Sequence, residues 1–530
     1  MTAETHTIRI LPHGREIRAP HGRTLMDILT GENLMLRSDC GGKGKCGKCR
    51  VEQVLDSGRR RDLFACVTQV TQNLEIEIPE STLFSTHTIG KAAVNFPDLF
   101  TERFKDADGP ETYGIAVDLG TTTIAVYLCH MTKGEVVSSV SVKNPQALYG
   151  DDVMSRIGAI GQDAKNLERL QGLVTGAMAQ GMEELLASEK LGRDTVSGMV
   201  VVGNPAMIHI LTGVDPAPIG CSPYLPAFYD PRTIPARDLG FIPGDFDLHI
   251  LPQVSGFIGG DILAAALAVD FEHQAPGTLL IDLGTNGELM LRSETGYFAT
   301  SCATGPAFEG ASLSCGMQAV PGAVTRVELA GPDARPEYTV IHKKKQPAKP
   351  SGLCGSGVVS AVAQFCRQGI ILPDGAFNPD TGSPALVRDD AGRYRYDIVP
   401  GSAQEDQQPV YISQKDIRSV QLGKGALITG IDFLLKKAGF DRPEKIIIAG
   451  AFGTFLDQSD MKTLGMIPPR ATHGIEMAGN AAGAGAVMAL CDGEFRHKAE
   501  AMVRDIRVID LASDQEFHAS FIHRLSFPEQ

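Results

Sequence analysis

The chain has 530 residues, 43% hydrophobic and 21% charged, which is enough for several folding units and unlike a disordered or coiled-coil composition. Forty-nine Lys and Arg against 63 Asp and Glu leave a net charge of -14, which repels a phosphate backbone and excludes a nucleic-acid partner. No apolar run approaches the ~18 residues of a membrane span, and residues 1–7 carry no basic-then-apolar leader, so no membrane partner and a cytoplasmic location are expected.

Residues 7–10 and 16–19 alternate as the strands of a hairpin, 24–30 has helical periodicity, and 74–78 reads as a closing strand, together a small β-grasp layout. Within this stretch fall Cys40, Cys46, Cys49 and Cys66, four of the chain's 11 cysteines, spaced C-x5-C-x2-C-x16-C. An odd cysteine count without a leader argues against a disulfide framework. Gly41, Gly42, Gly44 and Gly47 let the loop curl and turn N–H groups toward sulfur, which favours an iron–sulfur cluster. Structural zinc, the alternative, prefers two short Cys pairs, and only Cys46 and Cys49 form one. Residues 1–80 resemble a [2Fe-2S] ferredoxin domain. The x5 gap is that of the adrenodoxin-like branch, and the x16 interval to Cys66 departs from both that branch and the plant type. The resemblance implies the four cysteines as metal ligands.

Residues 81–111 lose periodicity and collect Pro97, Gly109 and Pro110, which reads as a linker with a short helix near 100–104. Such a tether holds a redox head near its acceptor and raises its effective concentration. The basic run 59–61 is a solvated loop or a steering patch for an acidic redox partner.

The rest of the chain contains an internal echo. Residues 114–128, GIAVDLGTTTIAVYL, and 279–291, LLIDLGTNGELML, each give an apolar strand, Asp-Leu-Gly-Thr, a polar turn and a second apolar strand. Two copies imply two lobes, here 112–272 and 273–530, the second including a C-terminal segment. In each copy Gly allows close backbone approach, Thr supplies a hydroxyl and an N–H, and the Asp can orient Mg²⁺ or a water. Residues 445–455, KIIIAGAFGTF, form a buried strand running into a Gly turn, and two small-residue helices begin near Ser255 and Gly479.

Taken in order, these segments resemble the nucleotide site of the ASKHA superfamily of sugar kinases, chaperones and actin. The resemblance implies a first phosphate loop with Asp118, Gly120, Thr121 and Thr122, and a first connecting helix with Gly259, Gly260 and Asp261. It implies a second phosphate loop with Asp282, Gly284, Thr285 and Asn286, an adenosine motif with Gly450 and Gly453, and a second connecting helix with Gly479 and Gly483. Asp118, Asp282 and Asp261 are the candidate catalytic carboxylates. The run from Ser351, SGLCGSGVVSAV, reads as a Gly turn entering a helix, with Gly355 at a candidate anion site. Cys302, Cys315 and Cys354 read as packing or loop thiols, Glu309 as a loop carboxylate that is solvated or faces the cleft, and His209 as a satisfied core residue.

A ferredoxin head joined to an ATP cleft resembles one family over essentially the whole chain, the reductive activators of corrinoid proteins. CGGKGKCGKC, VDLGTTT, VVGNPAMIHILTG, GFIGGDILAA, IDLGTNGE, GPAFEGA, GLCGSG and IIIAGAFGTF carry that resemblance. It implies a multidomain α+β and α/β protein, with a β-grasp domain, a linker and a two-lobed ATPase region. Its activity would be one-electron reduction of Co(II) to Co(I) in a corrinoid protein of a methyltransferase system, using ATP, Mg²⁺ and a [2Fe-2S] cluster. An upstream low-potential donor is implied, and a homodimer is left open. The alternatives are an ASKHA small-molecule kinase or hydrolase with an accessory ferredoxin domain, for which Asp261 is the candidate base, an ATP-dependent activator of another low-potential enzyme, and a binding adaptor with a degenerate cleft.

Overall fold

The computed structural model describes the chain apart from residues 1–3, 13, 33, 35, 37–43, 45–46, 48, 56, 80–81, 83–93, 106, 108, 242–244, 332, 334, 343–346, 390, 403–406, 451–455, 512–513 and 530, and the side chains of 30–31. Among the described residues no helix is long and apolar enough to cross a membrane.

The N-terminal sheet is built from β1 (Thr5–Leu11), β2 (Arg15–Pro20), β3 (Arg50–Val54), β4 (Arg60–Phe64) and β5 (Leu74–Glu77), in the order β2-β1-β5-β3-β4. β1 runs antiparallel to β2 and parallel to β5, the mixed pairing expected of a β-grasp. The helix Leu25–Gly31 follows Thr24, whose hydroxyl accepts from the Asp27 N–H at 3.2 Å. Ile8, Ile17, Leu25, Leu29, Val51 and Ile76 are buried together, so this domain has a core of its own.

The stretch read as a linker is docked at its far end. The helix Asp98–Phe104 puts Phe100 on Phe495, with ring centroids 5.6 Å apart, and Phe96 and Phe104 flank Phe100 at 4.9 Å each. Arg103 pairs with Glu494 at 2.6 Å and with Asp492. Residues 96–104 therefore anchor the tether to the second lobe.

The first lobe contains β6 (Tyr113–Leu119), β7 (Thr123–His130), β8 (Glu135–Lys143), β9 (Val196–Gly203), β10 (Arg232–Pro235) and β11 (Asp247–Ile250), in the order β10-β11-β9-β6-β7-β8. The second begins with β12 (Thr278–Leu283), β13 (Gly287–Ser293) and β14 (Gly296–Cys302). Two small sheets follow, one of β15 (Ala323–Glu328), β16 (Glu337–Val340) and β17 (Gly352–Leu353), the other of β18 (Leu386–Arg388), β19 (Tyr394–Val399) and β20 (Val410–Ser413). The main sheet is completed by β21 (Lys445–Ala449), β22 (Ile475–Gly479) and β23 (Ile506–Val508), in the order β22-β21-β12-β13-β14-β23.

Without the edge strands β10 and β23, the two sheets have one topology: a three-stranded antiparallel meander whose first strand is extended by two parallel strands. The inner parallel strands are covered on both faces, which is why residues 199–202 and 446–449 read as continuous apolar runs rather than alternating ones. The internal echo in the sequence is thus a duplicated fold, with Asp118 and Asp282 near the ends of equivalent strands.

The small-residue helices Gly260–Ala268 and Ala481–Cys491 pack against one another between the sheets. A β-carbon on Gly485 would lie 1.9 Å from the Ala264 carbonyl oxygen. Gly→Ala inside a helix ordinarily stabilises by about 1 kcal/mol. Here the sign should reverse, with Gly485→Ala costing about 2 kcal/mol through overpacking. Gly172→Ala, where a β-carbon meets nothing within 4 Å, is the control that should stabilise. Thermal unfolding of the two variants measures both signs, and a stabilised Gly485→Ala would contradict the close crossing.

Candidate nucleotide cleft and metal centre

The two Asp-Leu-Gly-Thr hairpins meet between the lobes. Thr122 of the first and Thr285 of the second have their hydroxyl oxygens 2.9 Å apart. Both also reach one carboxylate oxygen, Glu309 Oε2, at 2.8 Å and 2.5 Å. Glu309 ends the turn Pro306–Glu309. Burial pushes the Glu309 carboxyl upward, against the two Thr hydrogen bonds and the charge of Arg156.

Asp118 stands near the end of β6, just before the first of these turns. Its Oδ2 accepts from Asn480 Nδ2 at 2.9 Å, and the same amide donates to the Tyr127 hydroxyl at 2.9 Å while its oxygen accepts from the Gly483 N–H at 3.0 Å. Asn480 caps the second connecting helix, so that helix is tied directly to the first-lobe carboxylate. Asp261 sits in the first turn of the first connecting helix, its Oδ1 accepting from the Ile262 N–H at 2.9 Å. Asp282 projects beside Gly450, whose φ of +101° a side chain would rarely adopt. A β-carbon there would lie 2.3 Å from the Leu283 carbonyl oxygen and 3.2 Å from Asp282 Oδ1, so only glycine allows this approach.

Asp118, Asp261, Asp282, Glu288 and Glu309 form one electrostatic group, and every one of them has its proton affinity raised. Burial is the main cause throughout. It takes Asp118 to about 7, with Asp261 and Glu309 adding to the rise and the Asn480 bond opposing it. Asp261 is pushed up to about 6 by burial, against backbone N–H groups that favour its charged form. Asp282 and Glu288 rise well above the carboxylate range through burial and their charged neighbours. Among the described residues no Lys, Arg or His forms an ion pair with any of the five. Their oxygens make a donor set that could hold a hard cation.

A cation does stand behind the first loop. Arg156 is 0% exposed and donates to the Thr121 carbonyl at 2.6 Å, the Gly150 carbonyl at 3.0 Å and Gln146 Oε1 at 3.1 Å. Burial lowers its pKa to about 10, which keeps it charged at neutral pH. Asn204 Nδ2 donates to Thr121 Oγ1 at 2.9 Å, and Asn144 Nδ2 to the Gly120 carbonyl at 2.9 Å, so the loop is held from below by fixed polar groups.

Gly120, Thr121, Thr122, Gly284, Thr285 and Asn286 are thus gathered in two facing turns, while Gly259 caps and Gly260 begins the first connecting helix. Gly479 ends β22 one residue before Asn480. Gly453 lies outside the described residues. Gly355 begins the helix Gly355–Arg367, whose first turn is buried against β15; a β-carbon on Gly357 would lie 2.1 Å from the Val324 carbonyl oxygen. Close packing accounts for at least that glycine. His209 is a satisfied core residue, accepting from the Ala227 N–H at 2.9 Å through Nε2 and bonded to the Pro205 carbonyl at 2.6 Å through Nδ1.

In the N-terminal domain Cys49 and Cys66 are both buried with their sulfurs 3.2 Å apart, close enough for one metal ion to take both. Ala65 N–H donates to the Cys49 carbonyl at 3.0 Å, which fixes the two segments side by side. The pairing suits a thiolate-held cluster, and the short x16 interval does not keep Cys66 away. Cys40 and Cys46 lie outside the described residues.

Sequence models of known families match three stretches of the chain. Residues 8–71 match a 2Fe-2S iron-sulfur cluster binding domain, 113–274 the RACo middle region, and 277–530 the C-terminal domain of RACo, the ASKHA domain. The chain belongs to the RACo family. One relative, the corrinoid activation enzyme RamQ of Eubacterium limosum, is 28% identical over 97% of each chain. The [Co(II) methylated amine-specific corrinoid protein] reductase of Methanosarcina barkeri is 24% identical over 67% of this chain and 66% of its own. In fold, this RACo-family chain is similar to a solved reductive activator for corrinoid, iron-sulfur protein, with TM-score 0.73, 23% identity, and 99% and 98% of the two chains covered.

Because burial raises the proton affinity of all five clustered carboxylates, the stability of cation-free protein must depend on pH in a definite direction. Carboxyls whose folded pKa is raised favour folding below their ordinary value near ~4, and that advantage is lost as pH rises through the folded values. Cation-free protein should therefore lose roughly 3–5 °C of unfolding temperature between pH 5 and 7.5, and Asp282→Asn should flatten the slope. A wild-type slope matching the variant's would show that Asp282 does not titrate across this range.

Proposed function

We propose that this chain restores the reduced cobalt of a corrinoid protein. One electron passes from the N-terminal [2Fe-2S] domain to Co(II), giving Co(I), and ATP binding and hydrolysis between the lobes drive the transfer. The observation that carries this reading is the meeting of two phosphate-type hairpins at Glu309 in a chain that also presents the Cys49–Cys66 sulfur pair. The activities of the relatives, corrinoid activation and corrinoid-protein reduction, support the acceptor.

In this reading Gly120, Thr121, Thr122, Gly284, Thr285 and Asn286 cradle the polyphosphate, and the buried Arg156 holds the first loop while adding a positive charge behind it. Asp118 and Asp282 would hold Mg²⁺, and Asp261 would orient water at the site. Mg²⁺, when bound, supplies the positive charge that the clustered carboxylates lack. Glu309 gives up the two Thr hydroxyls to the entering phosphate and then faces the attacking water. Gly450, with Gly453 and Gly479, leaves room for the nucleoside, and Gly259 and Gly260 keep the connecting helices close. Because Asn480 ties Asp118 to the second connecting helix, a change at the phosphates moves the lobes.

Cys40, Cys46, Cys49 and Cys66 hold the cluster, which supplies a one-electron donor near roughly -400 mV when loaded. An external low-potential reductant recharges it. Passing the electron to an acceptor ~100 mV lower costs about 2.3 kcal/mol. A nucleotide-linked bias of about 5.5 kcal/mol moves a two-state equilibrium ~10⁴-fold, so ATP covers that deficit.

The test mixes reduced protein with a Co(II) corrinoid protein and follows cobalt by optical absorption. Co(I) yield is expected to rise at least ~10-fold on adding ATP with Mg²⁺. Equal yield with nucleotide omitted would refute the coupling.

A further inference from the structure

The open end of the β1–β2 hairpin carries a second set of metal-type donors, away from the cysteines. His6 lies on β1, paired with Ala19 of β2; Glu4 directly precedes β1 and His21 directly follows β2. The His21 N–H donates to the Glu4 carbonyl at 2.9 Å, which locks the two flanking residues together. On this frame His6 Nε2 and His21 Nδ1 stand 2.8 Å apart, and Glu4 Oε2 is 3.7 Å from the same His21 Nδ1. All three atoms lie within 4.8 Å of one another.

A hydrogen-bonded arrangement leaves this cluster underserved. His21 Nδ1 carries at most one hydrogen, and both His6 Nε2 and Glu4 Oε2 converge on it. A single cation satisfies all three lone pairs. The spacing fits as well: with Zn–N near 2.0–2.1 Å, the edge of a tetrahedron is about 3.4 Å, and the observed 2.8 Å and 3.7 Å bracket it. Two imidazoles and a carboxylate form a borderline nitrogen–oxygen set, suited to Zn²⁺ or Cu²⁺ and poorly suited to Mg²⁺ or Ca²⁺.

We propose that Glu4, His6 and His21 form a binding site for one first-row divalent ion of the Zn²⁺ class, with a water in the remaining position. The ion ties the residue before β1 to the residue after β2, and β2 is the edge strand of the N-terminal sheet. It staples the hairpin of a small domain, where one added cross-link is a large share of the stability. The site rests on no assumption about the cleft or the corrinoid partner.

The experiment uses the full chain with its cluster loaded and oxidised. Zn²⁺ is titrated against a chromophoric chelator, and Cu²⁺ is added to a parallel sample for electron paramagnetic resonance. One equivalent of Zn²⁺ is expected to bind, at least ~10-fold more weakly in His21→Gln and in His6→Gln, and more weakly in Glu4→Gln. The Cu²⁺ signal should carry nitrogen splitting that the double variant His6→Gln/His21→Gln lacks. Zn²⁺ should also raise the temperature at which the cluster's absorption is lost, in the wild type alone. Glu4 and His21 are exposed and His6 partly so, and the variants should keep the cluster spectrum and ATP hydrolysis of the parent. Equal Zn²⁺ uptake by the wild type and the double variant, or no uptake by either, overturns the site.

Discussion

Asp118→Asn should lower ATP hydrolysis by at least ~10²-fold and, in cation-free buffer at pH 7.5, raise the unfolding temperature. The two effects have one origin. Asp118 is forced toward its neutral form by burial and by the charges of Asp261 and Glu309, so an ionised carboxylate at this point strains the folded cleft. Asparagine keeps the shape and removes the charge, which relieves that strain. It also removes an oxygen donor from the group proposed to hold Mg²⁺, which is where turnover is lost. Glu309→Gln tests the other half of the cleft: it should keep a bond to Thr122 and Thr285 but lose the ionisable oxygen, lowering hydrolysis about 10-fold or more. Steady-state hydrolysis and thermal unfolding, measured on the same preparations, separate catalysis from folding. Parental hydrolysis in both variants would remove the carboxylates from the mechanism.

The parts of this site that could be read from sequence are those whose information is local. Asp118 with Gly120 to Thr122, and Asp282 with Gly284 to Asn286, announce themselves because strand, turn and strand are contiguous and occur twice. The Gly-rich cysteine loop ending at Cys49 is contiguous too, and residues 8–71 match a 2Fe-2S domain. Asn480 is legible as a helix cap, but its bond to Asp118 joins residues 362 positions apart and leaves no trace in either segment. Glu309 looks like an ordinary turn carboxylate until the fold brings in Thr122 from 187 residues away. Arg156 sits in a helix where charge normally marks the solvated face, yet it is wholly buried under a backbone carbonyl. Phe96, Phe100 and Phe104 did offer a signal: their i, i+4 spacing gives an apolar stripe, and it is this stripe that docks the end of the tether. Composition alone reads the same stretch as free linker.

Cys66→Ser is expected to abolish the visible absorption of the cluster and cut Co(I) formation by more than ~10²-fold, even with ATP present, while ATP hydrolysis stays within about twofold of the parent. The separation follows from the cores. Ile8, Val51, Val70 and Ile76 pack around Cys49 and Cys66 in a cluster that shares no residue with the cores of the two lobes. The Phe100–Phe495 anchor lies beyond that domain, so loss of the metal leaves the tether's attachment intact. Cys66 is the decisive position because its x16 interval is the one feature of the motif that departs from the ferredoxin pattern, and yet its sulfur is 3.2 Å from that of Cys49. Serine removes the thiolate while keeping the size of the side chain, so a colour loss reports ligation rather than packing. An unchanged spectrum would mean that the cluster takes its fourth ligand elsewhere, and the sulfur pair would then be a core contact only.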